Sequence, residues 1–425
     1  MNLHKTVIVL LALLLAGMAM VPLVSAAEDQ KMKELRPIIE ENYVSADRAQ
    51  SQASYALLEF VSTGALGDKS IWIGGKIKPD PLIIYDIDGT RLFYLFTIEK
   101  NNGKIGEIKI AASKILGNPV VTIGPGKSSI NLNQLEKKSR AEAQKNAKPS
   151  TTITTQLVSY AYPNLGMIAY YTDNLTNIQQ NVIIDAYDYS IIPEKAPQFE
   201  GDQGIVSYYE TYPYDKKTEF IESWLKYDQY VTETEKTNLY LTTDMSGEIT
   251  EKRLQEYTAK LTSLKAASEY RVLSSFPLIG AETTEWCTVG TAKMISQYYG
   301  VSRTQTQIAT RMGIPVSIPY RGATINEELN YYTGSIASGG LGKTGSRDYY
   351  TINWDDSKKE IDENRPFKVG TGIHAKAAIG YIRSPSNGFT YLYFKDPSPL
   401  GQGSEYWEWF NELNPQFYNN HIKIN

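Results

Sequence analysis

Apolar and polar positions alternate along this chain in three distinct ways. From 7 to 21 the apolar residues run on without a charge, the length of an export-signal core rather than of a packed element. Between about 28 and 195 helical periodicity at 32–42 and 45–61 gives way to strand-like runs. Leu82-Ile83-Ile84-Tyr85 and the run 92–98 flank Asp88-Gly89, and Asn102-Gly103 leads into 105–110, both pairs being hairpin formers. A further helical run at 132–147 precedes strand-like segments at 153–162, 166–172 and 180–187. Residues 196–275 are more polar and read as a mainly helical connector, with helices at 217–225 and 249–273 and cleavable loops at 212–217 and 242–247. From 276 a helix at 283–300 is followed by a small-residue strand at 370–382, a Ser384-Pro385-Ser386-Asn387-Gly388 turn and a return strand at 389–395.

Composition supports this division. A chain of 425 residues, 42% apolar and 21% charged, holds two or three domains of about 150 residues. Lys5 before the apolar run and Val24-Ser25-Ala26 after it predict a cleaved signal over 1–27. The expected order is therefore signal (1–27), α+β domain (28–195), helical connector (196–275) and a second α+β domain (276–425), in a secreted protein with no stable membrane anchor after signal removal. A net charge of −4 without a basic block offers no footprint for nucleic acid. One cysteine and the two histidines that remain after signal removal cannot build the usual metal sites, and Gly342-Lys343-Thr344 lacks the first glycine of a phosphate loop, so no cofactor is expected. Asp86-Ile87-Asp88-Gly89-Thr90 resembles the opening motif of haloacid-dehalogenase phosphotransferases, but a second strand follows at once and the segment reads as a hairpin turn.

The chemistry concentrates in the last 150 residues. Cys287, the only cysteine, falls in the first turn of the helix at 283–300, where the helix dipole favours thiolate. Thr283 or Thr284 is the expected cap of that helix. His4 leaves with the signal and His421 lies in a polar terminal tail, so His374 is the candidate base. If Arg383 pairs with Phe389 across the turn, His374 lies diagonal to Asp396 on one face of the hairpin, within reach of a histidine–carboxylate contact. A slip of one residue would separate them.

Trp286-Cys287 opening a helix that ends Met294-Ile295-Ser296-Gln297-Tyr298-Tyr299-Gly300, then His374-Ala375 and Tyr391-Leu392-Tyr393-Phe394-Lys395-Asp396-Pro397, resembles the papain-like cysteine peptidases. The compact branch related to bacteriocin-leader (double-glycine) peptidases is the nearest in pattern, over about 276–425. The resemblance implies an α+β papain-like domain in which the nucleophile's helix packs on an antiparallel sheet, preceded by a propeptide-like module. It implies Cys287 as nucleophile, His374 as base and Asp396 as orienting residue. The family places a glutamine five or six residues before the cysteine as oxyanion donor; here those positions are Glu282 and Ala281. A carboxylate at Glu282 cannot donate a hydrogen bond, so the oxyanion donor is unassigned. The expected function is a secreted cysteine endopeptidase made as a precursor, with a peptide or protein substrate and its own N-terminal region as intramolecular inhibitor. A transglutaminase-like or cell-wall amide hydrolase with the same three residues, and a non-catalytic binding protein on a degenerate peptidase fold, are the alternatives.

Overall fold

The computed structural model describes residues 30–126, 130–236, 247–263, 269–349, 353–371, 373–410 and 420–425; the signal expected over 1–27 lies outside them. Among the described residues no helix is long and apolar enough to cross a membrane. The architecture is mixed α+β, built on a large sheet. Its hydrogen-bonded path runs, by strand, Arg347–Tyr349, Asn420–Lys423, Phe367–Thr371, His374–Arg383, Thr390–Asp396, Ser404–Trp409, Val120–Gly124, Gly103–Ala111, Arg91–Lys100, Leu82–Asp86, Thr154–Ala161, Asn164–Thr172, Gln179–Asp185. Neighbours are antiparallel except Leu82–Asp86 beside Thr154–Ala161, which are parallel. The join between the N-terminal and C-terminal strands is narrow, with Trp407 opposite Ile123 and Glu408 opposite Thr122.

Side chains make that join a shared interior. The helix Ala46–Thr63 starts on Ser45, whose hydroxyl accepts the Arg48 N–H, and ends on Gly64 in the left-handed region. It is buried on nearly every face because strands lie on one side and the helices Lys217–Lys236 and Glu251–Ser263 on the other. Phe60 meets Tyr391 and Trp407 edge-on, and one core cluster draws together Tyr55, Phe60, Ile123, Trp224, Tyr257, Ile382 and Trp407. Glu59, fully enclosed, accepts from Ser384, Ser386 and Asn387 in the turn of the C-terminal hairpin; burial pushes its carboxyl up, and these donors partly offset the rise. The helices of the connector thus pack on the N-terminal module. Of the helix expected over 249–273, Glu251–Ser263 is helical, while Glu269–Val272 instead forms a strand against His374–Arg383, because Tyr270 and Val272 offer alternating contacts to that edge.

The 86–90 motif forms a hairpin turn, with Tyr85 opposite Arg91. Asp86 is buried and accepts from the Ser207 hydroxyl and the Tyr208 and Tyr209 amides, while Asp88 pairs with Arg36 and caps Thr90. His421 corrects the reading of a polar tail: it is buried on the strand Asn420–Lys423 opposite Val369, stacked on Tyr349, and burial pulls its imidazole down to about 4. Tyr331 and Tyr332 are core residues with no exposure.

Phe60→Ala removes a ring that both halves share. It is expected to cost about 3–5 kcal/mol, and denaturant unfolding followed by far-UV dichroism and tryptophan fluorescence should show both halves shifting together in one transition.

Candidate active site

Cys287 is the first residue of the helix Cys287–Tyr298. The N-cap is Trp286, which has no side-chain acceptor, rather than Thr283 or Thr284: Thr284 donates instead to Glu285, and the turn is closed by the Trp286 amide on the Thr283 carbonyl. The helix therefore begins without a side-chain cap, its first N–H groups open at the sulfur's own position. Gly290 lies one turn on; a Cβ there would meet the Pro397 ring at 2.8 Å, so glycine lets the helix approach the Asp396-Pro397 segment.

His374 opens the strand His374–Arg383. Near the turn the hairpin is one residue out of the expected register, with Arg383 opposite Thr390 rather than Phe389. An irregularity between Ala378 and Gly380 restores the register, so that Ala378 faces Phe394 and Ala377 faces Lys395. Continued to the strand ends, that pairing puts His374 and Asp396 diagonal on one face, and the imidazole Nε2 lies 2.7 Å from Asp396 Oδ1. The Cys287 sulfur acts on the same ring, helping after Asp396 to hold its proton, and lies 4.0 Å from the Ile373 carbonyl oxygen. Sγ also accepts the Ala375 amide at 3.4 Å. The structure thus brings Cys287, His374 and Asp396 together, all three buried.

The charges favour a proton on the imidazole. Burial alone would pull His374 down, but the Asp396 carboxylate and then the Cys287 sulfur outweigh it, and the ring is pushed up to about 10. For Asp396 burial works upward and is overcome by His374, the Tyr406 hydroxyl and Lys376, leaving the carboxyl below its ordinary value of 3.8. Asp396 spends Oδ1 on His374 and the Ser398 amide, 2.8 Å, and Oδ2 on Tyr406 Oη, 2.6 Å. Tyr406 was missed in the sequence. Extending hairpin pairing one strand further, with Asp396 opposite Ser404, puts Tyr406 on the same diagonal.

Glu282 is not drawn into the cleft. Its side chain is half exposed and faces Lys293 at 3.8 Å. A glutamine does reach this loop, from beyond Cys287: Gln305 donates to the Gly280 carbonyl at 2.7 Å and accepts the Glu282 amide at 2.9 Å, so its amide is spent on the backbone. Thr283, in contrast, lines the cleft with Cys287 and His374, and its buried hydroxyl has no partner among the described residues.

The other wall comes from elsewhere in the chain. Tyr160, Asp185 and Asp188 of the N-terminal strands face the same cleft, and a strap from 198 to 206 crosses it. The Gly201 amide donates to the Ile373 carbonyl, next to His374, at 2.6 Å. A Cβ on Gly201 would stand 3.3 Å from the sulfur and 2.3 Å from the Glu285 carbonyl oxygen, so only glycine passes here, and its φ of +101° suits glycine alone. On either side the strap is anchored. Ala323 N–H donates to the Glu200 carbonyl, Gly322 N–H to Asp202, and Val206 N–H to the Tyr160 carbonyl. Lys368, fully buried, binds the Glu200 and Glu328 carboxylates; burial, with Glu200 adding to it, pushes Glu328 well up against the opposing pull of Lys368.

A comparison with protein-family models matches residues 273–421 to the Peptidase_C39 like family, so this segment is a C39-like peptidase domain. Comparisons with curated proteins and with solved structures found no match. Among the described residues no cluster of histidine, cysteine and carboxylate side chains is arranged to hold a metal.

Asp396→Asn tests the charge balance. Without the carboxylate, the two largest contributions opposing burial are lost and only Cys287 remains against it, so the His374 titration followed by NMR should fall from about 10 toward the ordinary value of about 6.5. Because the folded value is raised, His374 contributes stability in full below 6.5 and loses it as pH climbs through about 10. The lowered Asp396 contributes above 3.8 and loses it on acidification. The variant's deficit in melting temperature should therefore be largest between those two values and shrink toward pH 10.

Proposed function

We propose that the C39-like peptidase domain is a cysteine peptidase using Cys287, His374 and Asp396, made as an exported precursor in which the strap at 198–206 occupies the cleft. The observation that carries the reading is the buried Cys287–His374–Asp396 chain, with a protonation bias toward imidazolium. The thiolate attacks the scissile carbonyl to give a tetrahedral oxyanion, His374 passes its proton to the leaving amine, and an acyl-enzyme remains. Water, deprotonated by the now neutral His374, releases the acid and restores the thiolate–imidazolium pair. Asp396, fixed by Tyr406, holds the ring in place and stabilises its cation. The oxyanion is met by the open N–H of Cys287 at the helix start and by the unpartnered Thr283 hydroxyl.

The strap supports the precursor part of the reading. Gly201 presents its backbone to the sulfur as a substrate would, and the hydrogen bond its N–H donates to the Ile373 carbonyl is of the kind an extended peptide makes. The N-terminal module that delivers the strap shares a sheet and a core with the peptidase segment. Activation in this reading displaces or cuts the strap and leaves the module in place.

Three outcomes are expected. Iodoacetamide should label Cys287 selectively, and mass spectrometry should show the rate falling on His374→Ala; a thiol that stays unlabelled after strap displacement would defeat the enzyme reading. Gly201→Ala should force the strap off the sulfur and raise the labelling rate several-fold. Thr283→Ala should lower kcat by about 10²-fold with little change in KM, and Thr283→Ser should recover most of it; an unchanged kcat removes Thr283 from the oxyanion site.

A further inference from the structure

A cavity of about 200 Å³ lies behind the loop that follows Asp396, where the N-terminal strands meet the peptidase segment. It shares Tyr187, Ser398 and Pro399 with the cleft that holds Cys287 and His374, so the two spaces adjoin. Most of the charge on its wall is already matched. Lys104 pairs with Glu107 at 2.8 Å, Glu405 with Lys395, and Asp396 is held by His374 and Tyr406.

Lys109 is the exception. It is 8% exposed, with Nζ 4.9 Å from the centre of the Tyr162 ring and 5.3 Å from that of Phe93. Both rings offer their faces to a cation. Among the described residues no carboxylate or carbonyl accepts a hydrogen bond from this amine. The nearby Glu408 gives both oxygens to Lys376, at 2.6 and 2.7 Å, and one also to Tyr162. Burial pulls Lys109 down to about 8, with Glu408 only partly opposing it. Glu107 and Asp396 add weaker favourable fields, but a buried lysine beside a cavity with no hydrogen-bonded counter-ion among the described residues has its cation further stabilised by an anion that enters.

We propose that this cavity is a substrate subsite for a carboxylate, with Lys109 as its counter-charge, so that the peptidase selects peptides bearing an acidic side chain or a free C-terminal carboxylate close to the scissile bond. The inference rests on the peptidase reading only for what carries the carboxylate; the binding itself is independent of catalysis. Lys109 stands on the strand Gly103–Ala111, which makes the N-terminal module part of the specificity apparatus as well as the carrier of the strap.

The test uses the full chain with Cys287→Ala, so that no turnover is needed, and calorimetry with three acetylated probes: glutamic acid amide, glutamine amide, and glutamine with a free α-carboxylate. One carboxylate probe should bind about tenfold more tightly than glutamine amide or better, and which one does so identifies the source of the anion. Lys109→Met should reduce that ratio to about one and Lys109→Arg should keep it, with melting curves showing that both variants are folded; Lys109→Gln replaces the methionine variant if the latter does not fold. Equal binding of all three probes, or a preference that survives in folded Lys109→Met or Lys109→Gln protein, overturns the subsite. Either result leaves the Cys287 labelling outcome untouched, so failure of the subsite and failure of the peptidase reading are separable.

Discussion

Two ladder positions, Trp407 opposite Ile123 and Glu408 opposite Thr122, hold the two halves of this protein in one sheet. Everything at the cleft depends on that seam. The strand Ser404–Trp409 that supplies it also carries Tyr406, which fixes Asp396, and Glu408, which neutralises the buried Lys376. Across it come Tyr162, on Glu408, and Lys109, beside the cavity. Parting the halves would break only those two ladder positions but would expose the rings of Phe60, Tyr391 and Trp407 at once, so the cost lies mainly in apolar area. The seam therefore makes the N-terminal module a structural member of the site.

Within the site, burial and charge pull in opposite directions, and charge wins by adjacency. His374 is enclosed, which by itself favours the neutral ring, yet it sits between a carboxylate and a thiol. Asp396 is equally enclosed and is kept ionised by the ring, a phenol and the ammonium of Lys376. His374 and Asp396 thus each have a counterpart within one or two strands, which is the condition under which such groups persist away from water.

The cysteine at a helix start, the histidine on a small-residue strand and the carboxylate diagonal to it were legible because each depends on local rules: capping position, period two and hairpin pairing. The irregularity between Ala378 and Gly380 was not. It compensates a one-residue shift at the turn, and a shift and its correction leave the same hydrophobic alternation at the strand's far end. The Val120–Gly124 and Ser404–Trp409 pairing was equally hidden, since two short strands far apart in sequence carry no sign of their partner. His421 was misread for the same reason: a terminal segment looks like a tail until a sheet edge is there to receive it. Gly201 had no signal of its own, because what demands glycine is the Glu285 carbonyl and the sulfur across the cleft.

On the proposed reading, a strap fastened on both sides of Cys287 is a ligand that never leaves the molecule. Its occupancy is set by a unimolecular equilibrium, indifferent to dilution, and a free peptide entering the cleft competes with an effective concentration of about millimolar order. Because Val206 is tied to Tyr160 on the N-terminal strands and Glu200 to Lys368 on the peptidase sheet, a single break near Gly201 would leave each new end attached to a folded body. Cutting would then lower the strap's local concentration without abolishing it, and the lag before full exposure of the sulfur would be governed by how fast two tethered ends drift apart rather than by diffusion of an inhibitor into bulk solution.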